Sequence, residues 1–151
     1  MNTPTHPSGY ERIKQTSLHF VRSMKMGEQP GIYAKEAGEG ASMYGSYHAA
    51  HIYDMFNELG SFSPEELQTW ADFFLEKQDA EFGFFLSRPD KKPFPYKGIR
   101  DLETVWHSTR GVLWSLRILD HKPRNELKFL DPFLTKNNLY EWVKSYAWNN
   151  P

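Results

Sequence analysis

Cysteine is absent from the 151 residues. Disulfides, thiolate nucleophiles and Cys-ligated zinc are thereby excluded, and the usage fits a reducing compartment, with the cytoplasm as the default. Charge of one sign is not in surplus either. Lys and Arg number 18 against 19 Asp and Glu, a formal net charge of -1, so there is no electrostatic case for nucleic acid or another polyanion as partner. Long apolar runs are missing too. Nothing approaches the roughly 20 apolar residues that span a bilayer, and Met1 to Gln15 has no apolar leader segment, so the chain reads as soluble. Its length suits one domain.

What is abundant is ring surface. Aromatic residues make up 16% of the chain, with 5 Trp, 8 Tyr and 11 Phe, which implies a large core or a ring-lined ligand cavity. Residues 1–9 read as a disordered lead, and 10–151 as a single helical domain. Tyr10, Ile13, Phe20, Val21 and Met24 recur at helical spacing and predict a helix over 10–26. The stretch from Gly27 to Gly45, which includes Pro30, Gly31, Gly38 and Gly40, reads as a long loop. A second helix is expected over 46–59, with Ile52, Met55, Phe56 and Leu59 inward and Gly60 as its left-handed cap. Ser63-Pro64-Glu65-Glu66 spells an N-cap, a first-turn proline and a capping-box glutamate. From it runs the stripe Leu67, Trp70, Ala71, Phe74, Leu75 and Gln78. A Pro- and Gly-containing loop follows over 79–101, with a short extended piece at 84–86. Further helices are expected over 102–119, 125–130 and 137–148, and no sheet is needed.

Two internal alignments suggest repetition. A shift of 59 carries His48 onto His107, Tyr47 onto Trp106 and Pro64 onto Pro123. A shift of 72 carries Leu67-Gln68-Thr69-Trp70 onto Leu139-Tyr140-Glu141-Trp142. About two repeats of roughly 60 residues, each a loop followed by two helices, describe stacked α-hairpins. Phe74-Leu75-Glu76-Lys77-Gln78-Asp79 followed by Gly83-Phe84-Phe85 resembles the aromatic, Gln, Gly, aromatic signature of squalene-hopene cyclase and related terpenoid cyclase or protein prenyltransferase repeats. Gln29-Pro30-Gly31-Ile32-Tyr33 is a degenerate copy. The resemblance implies an all-α fold of the α/α-toroid type, here about half a ring. In it Gln78, Gly83 and Phe85 are structural: the Gln bonds orphan backbone groups, the Gly permits the turn, and the Phe packs over the amide. Such a half ring would self-associate through its open ends or be completed by a missing C-terminal half.

The first turns of the second and fourth helices are the candidate site. Tyr44, Tyr47, His48 and His51 share one helical face, and Glu103, Trp106, His107 and Arg110 repeat that spacing at the shift of 59. His48 or His107 would act as general acid or base, Arg110 would contact an anion, and Tyr47 and Trp106 would offer stacking surfaces. The bland alternative is that each His bonds a loop carbonyl and fixes a loop-helix junction, which repetition itself favours. His48 and His51 form an H-x-x-H spacing without an intervening Glu, so no metal is expected. Glu36 and Glu39 read as solvated loop charges. Gly38-Glu39-Gly40 follows a helix and lacks Lys-Ser/Thr, and no cofactor is called for. The chain has no D-x-D-D or D-D-x-x-D motif and no Cys for a prenyltransferase zinc site, so the resemblance assigns none of those reactions. What it implies is an aromatic-lined cavity for a hydrophobic or isoprenoid ligand. The rivals are a carbohydrate-active toroid of lyase, glycosidase or epimerase type and a non-catalytic interaction domain.

Overall fold

A computed structural model describes residues 8–87 and 99–145. The side chains of residues 99–104, 132, 142 and 145 lie outside that description, as do most of the lead (1–7), the loop prolines Pro89, Pro93 and Pro95, and the end of the chain after 145. The described residues are helical, with isolated bridges and no strand: α1 (Gly9–Ser23), α2 (Met43–Met55), α3 (Pro64–Leu75), α4 (Ile99–Ile118) and α5 (Lys136–Ser145), with 3-10 turns at Leu59–Ser61 and Lys128–Phe133.

Local chemistry sets the starts of α1, α2 and α3. Ser8 caps α1 by accepting from the Glu11 amide. Ser42 caps α2 by accepting from the Gly45 amide, so this helix begins three residues before the expected Ser46. At α3 the whole capping box is present: Ser63 Oγ accepts from Glu66 N at 3.2 Å, and the Glu66 carboxylate accepts from Ser63 N at 2.8 Å, with Pro64 at the first helical position. The expected left-handed cap at Gly60 is wrong. Asn57, at φ 54°, makes the turn instead, because its short polar side chain tolerates that conformation, and Glu58 N closes it onto Tyr53 O at 2.8 Å. α4 ends the same way at Asp120, φ 59°.

α1 packs on α2, α3 on α4, and α2 on α4. The last pair runs in parallel, because contacts advance together along both helices. The Tyr44 ring stacks 6.0 Å from His107, Tyr47 lies over Gly111, and His51 meets Trp114 at 6.1 Å. A Cβ on Gly111 would come within 2.7 Å of the Tyr47 ring, so glycine is what allows the two helices this spacing. Ser115 Oγ ties the same level, donating to Tyr47 O at 3.3 Å and to Gly111 O at 3.0 Å. The core centres on Trp70, Phe74, Phe85, Val112 and Leu116, all shut from solvent, and side chains of this size contribute about 1.5 to 3 kcal/mol each on full burial. Other expectations fail. Met55 is 70% exposed, at the residue where α2 ends. On α1 only Leu18 and Val21 are buried, while Tyr10, Ile13 and Phe20 face outward.

Two turns of the chain share their joints, but not in the register the histidines suggested. Gly31 and Gly83 have φ of 81° and 83° in matching turns, each closed by an antiparallel bridge, Lys25 to Tyr33 and Gln78 to Phe85. In both, the amide of the aromatic residue donates to a buried hydroxyl on the next helix: Tyr33 N to Ser46 Oγ at 3.1 Å, Phe85 N to Thr109 Oγ1 at 3.0 Å. A shift of 63 therefore carries Ser46 onto Thr109 and Asn57 onto Asp120. His48 falls on Gly111, and Tyr44 on His107. The shift of 59 misplaces the second helix by about one turn.

Candidate functional site

The seam between α2 and α4 gathers part of the expected constellation. Tyr44, Tyr47, His48 and His51 come from α2, and His107 from α4. Ring centroids lie 4.4 Å apart for Tyr44 and His48, 4.6 Å for Tyr47 and His48, 6.0 Å for His48 and His51, and 6.3 Å for Tyr47 and His107. Arg110 is exposed on α4. Glu103 belongs to α4, but its side chain is outside the description.

Trp106 does not join this seam. It packs edge-on to Phe84, Phe129 and Phe133 at 6.0, 5.1 and 6.0 Å, within a second apolar cluster beside the 3-10 turn. The physical reason is the register: Trp106 occupies the position of the buried Met43, a turn before the level of Tyr47.

Burial governs the seam's electrostatics. It pushes the His48 imidazole below its usual range, and the neighbouring His51 and His107 push the same way. Burial also lowers His51, opposed by a hydrogen bond with the Gly111 backbone and by the Asp54 charge. The Tyr47 phenol is raised, first by burial and then by Tyr44, with Arg110 opposing. These groups are therefore uncharged at neutral pH. Tyr47 OH, His48 Nε2 and His51 Nε2 are closed off from solvent and have no hydrogen-bond partner among the described residues. Atoms left in this way cost about 1 to 3 kcal/mol each, and Tyr33 OH and Trp70 Nε1 in the core share the condition.

His48 also faces a second feature. Between α1, the loop and the start of α2 lies a groove of about 250 Å³. Its walls are Phe20, Val21 and Met24 from α1, Tyr33, Ala34 and Lys35 from the loop, and Tyr44, Gly45, His48, Ala49 and Ile52 from α2. Tyr44, His48 and Ile52 stand four residues apart along one helix face, which was the only sequence signal pointing here. The α1 and loop contributions were not legible, because they depend on how the chain folds back at Gly31.

Gln78, Gly83 and Phe85 sit at the turn between α3 and α4. Gln78 Nε2 donates to Gly83 O at 3.3 Å and to Asn125 O at 2.9 Å, and its Oε1 accepts from Asn125 N at 2.8 Å. The amide thus satisfies backbone just before the 3-10 turn, not at an adjoining helix end. Among the described residues no cluster of three or more His, Asp or Glu could hold a metal ion, and no helix is long and apolar enough to cross a membrane. No protein-family model, no curated protein and no solved structure matches the chain.

Proposed function

We propose that the chain is a repeat domain of the α/α-toroid kind, similar in build to terpenoid cyclase and prenyltransferase repeats, that holds a small apolar, isoprenoid-like ligand between α1 and α2. One observation carries this reading: the groove beside His48 is walled mainly by carbon, from Phe20, Val21, Met24, Ala34, Ala49 and Ile52. Burial of a ligand chain there removes apolar surface from water on both partners, worth about 25 cal/mol per Å². The parallel α2 and α4, each backed by an antecedent helix, suit the two-layer build of such repeats. Holding the ligand is the function proposed, and no step of chemistry is assigned to it.

The test is backbone amide mapping with geraniol. Shifts confined to residues 20–24, 33–35 and 44–52 are expected. Shifts spread over the surface, or centred on the polar groove of Glu39, Ser42 and Lys77, would sink the reading. A carbohydrate-active domain is the second reading, drawn from the orphaned Tyr47 OH, His48 Nε2 and His51 Nε2 beside Trp114, which is 60% exposed and could stack on a sugar. An acidic oligosaccharide would then perturb 44–51 and 107–114, and geraniol would perturb neither.

A further inference from the structure

We infer that the exposed strip shared by α2 and α4 docks an acidic amphipathic helix of a partner protein, with Trp114 as the anchor and Arg110 and Arg117 pairing with its carboxylates. This goes beyond the reading of the groove between α1 and α2 and does not depend on it. Along α4 the residues most open to solvent are His107, Arg110, Trp114 and Arg117, spaced i, i+3, i+7 and i+10 on one helix face. On α2, His51 lies 6.1 Å from the Trp114 ring, and Met55 follows one turn later, 70% exposed. At about 1.5 Å per residue the run from His107 to Arg117 measures about 15 Å, roughly three turns of a partner helix.

What the strip lacks sets it apart from the other helices. Exposed helical surface is ordinarily kept in water by Lys and Glu, as Glu11 does on α1, Glu65 on α3, and Lys136, Glu141 and Lys144 on α5. α2 from Met43 to Met55 has neither residue, and nor has α4 from Val105 to Ile118. In their place stand Trp, Met and Arg, the types enriched where protein surfaces meet, with Trp and Arg the common anchors. Trp114, 60% exposed, has the largest apolar area to gain from cover. Charge then chooses the partner's sign. Arg110 and Arg117 form no ion pair among the described residues, and Asp54, beside His51, is the one acidic residue on these two stretches. Two guanidiniums against one carboxylate leave an excess of positive charge. A helix with Glu or Asp flanking its apolar anchors meets both features at once: its carboxylates pair with the guanidiniums while Trp114 and Met55 take the anchors. An acidic sugar would pair with the guanidiniums too, but it gains nothing from Met55, whereas an apolar anchor does.

The experiment titrates the full chain with a labelled, Trp-free peptide of about 18 residues, long enough to form a helix. It carries Leu on one face and Glu along the flanks of that face, and a second peptide has Lys in place of every Glu. Fluorescence anisotropy should show the Glu peptide binding more tightly by about tenfold or more at low salt, with the gap shrinking as salt is added. Amide mapping should confine the shifts to residues 48–55 and 107–117 and leave 20–24 and 33–35 unmoved, which separates this strip from the groove. Trp114→Ala, at an exposed position that leaves the fold intact, should weaken binding by about tenfold or more. Arg110→Glu combined with Arg117→Glu should reverse the preference in favour of the Lys peptide, whereas Arg12→Glu on exposed α1 should not. Equal binding of the two peptides overturns the inference. So does a preference that Arg12→Glu shifts as much as the paired change, or a set of shifts centred on Leu139 and Tyr140 of α5. Trigalacturonate competing at a lower concentration than the Glu peptide gives the strip to a sugar and overturns it. Dimers in sedimentation that Trp114→Ala abolishes make a second copy the occupant, and they overturn it as well.

Discussion

The unit formed by α1, its loop and α2 and the unit formed by α3, its loop and α4 use one set of joints against different neighbours. Both turn at a left-handed glycine, bridge back to the helix just left, and satisfy a buried amide with a hydroxyl on the next helix. They differ in what lies against the glycine. A Cβ on Gly31 would fall 2.2 Å from Trp70 Cγ, whereas on Gly83 it would fall 2.2 Å from the Glu126 carbonyl oxygen. In each case the following segment docks at the turn, once with an indole and once with bare backbone. The second unit adds Gln78, which clasps Asn125 from both sides, where the first has Lys25. Two units can thus share a turn geometry while the means of attaching the next segment differs.

Substitutions can break that comparison. Gly83→Val imposes a strained φ and a collision with backbone that cannot swing aside, and should cost about 3 kcal/mol or more in urea unfolding. Gly31→Val should be nearly as severe, because Trp70 is fully enclosed. A mild effect there would mean the first turn docks more loosely than the second. Gln78→Ala strips Asn125 of both backbone partners and should cost about 2 to 3 kcal/mol. An undiminished urea midpoint would show that other groups take over the clasp. Thr109→Val and Ser46→Ala each orphan one buried amide and should each lose about 1 to 2 kcal/mol; unequal losses would mark the unit that depends more on its latch. Ser63→Ala, at the junction between units, should cost about 1 kcal/mol in thermal melts.

The smallest effect is one of pH. Both depressed histidines, His48 and His51, lie in the first unit. Unfolded imidazoles take up protons near pH 6.5, while these two resist until lower pH. The unfolded chain therefore binds more protons in that window, and stability falls as pH drops through it. His48→Gln with His51→Gln should flatten the decline in the melting midpoint between about pH 7 and pH 5.

The helices were legible where local chemistry is self-contained. The Ser63 to Glu66 capping box and the stripe ending at Gln78 needed only neighbours within a turn or two. The left-handed residue after α2 was harder, because Asn57 competes with the nearby Gly60, which looks like the better stop, and Asp120 after α4 is not a residue type that announces such a turn. The seam was half legible. Tyr44, Tyr47, His48 and His51 share a face by spacing alone, but their partners on α4 depend on register, and two conspicuous histidines suggested a shift of 59. The informative pair was less visible: Ser46 and Thr109 share a task in the two units without sharing an identity. Trp106 was lost to the same error, and the groove's outer wall to long-range folding at Gly31.

The final helix has a consequence for how the molecule opens. Among the described residues α5 rests chiefly on the 3-10 turn before it, and its Leu139, Tyr140 and Val143 remain 46, 58 and 37% exposed. The seam helices, by contrast, are pinned by Tyr47 over Gly111 and by the Ser115 hydroxyl. Opening free energy is therefore graded along the chain. Hydrogen exchange should therefore find the α5 amides exchanging through local opening while those of Ala50, Val112 and Leu116 exchange only on global unfolding.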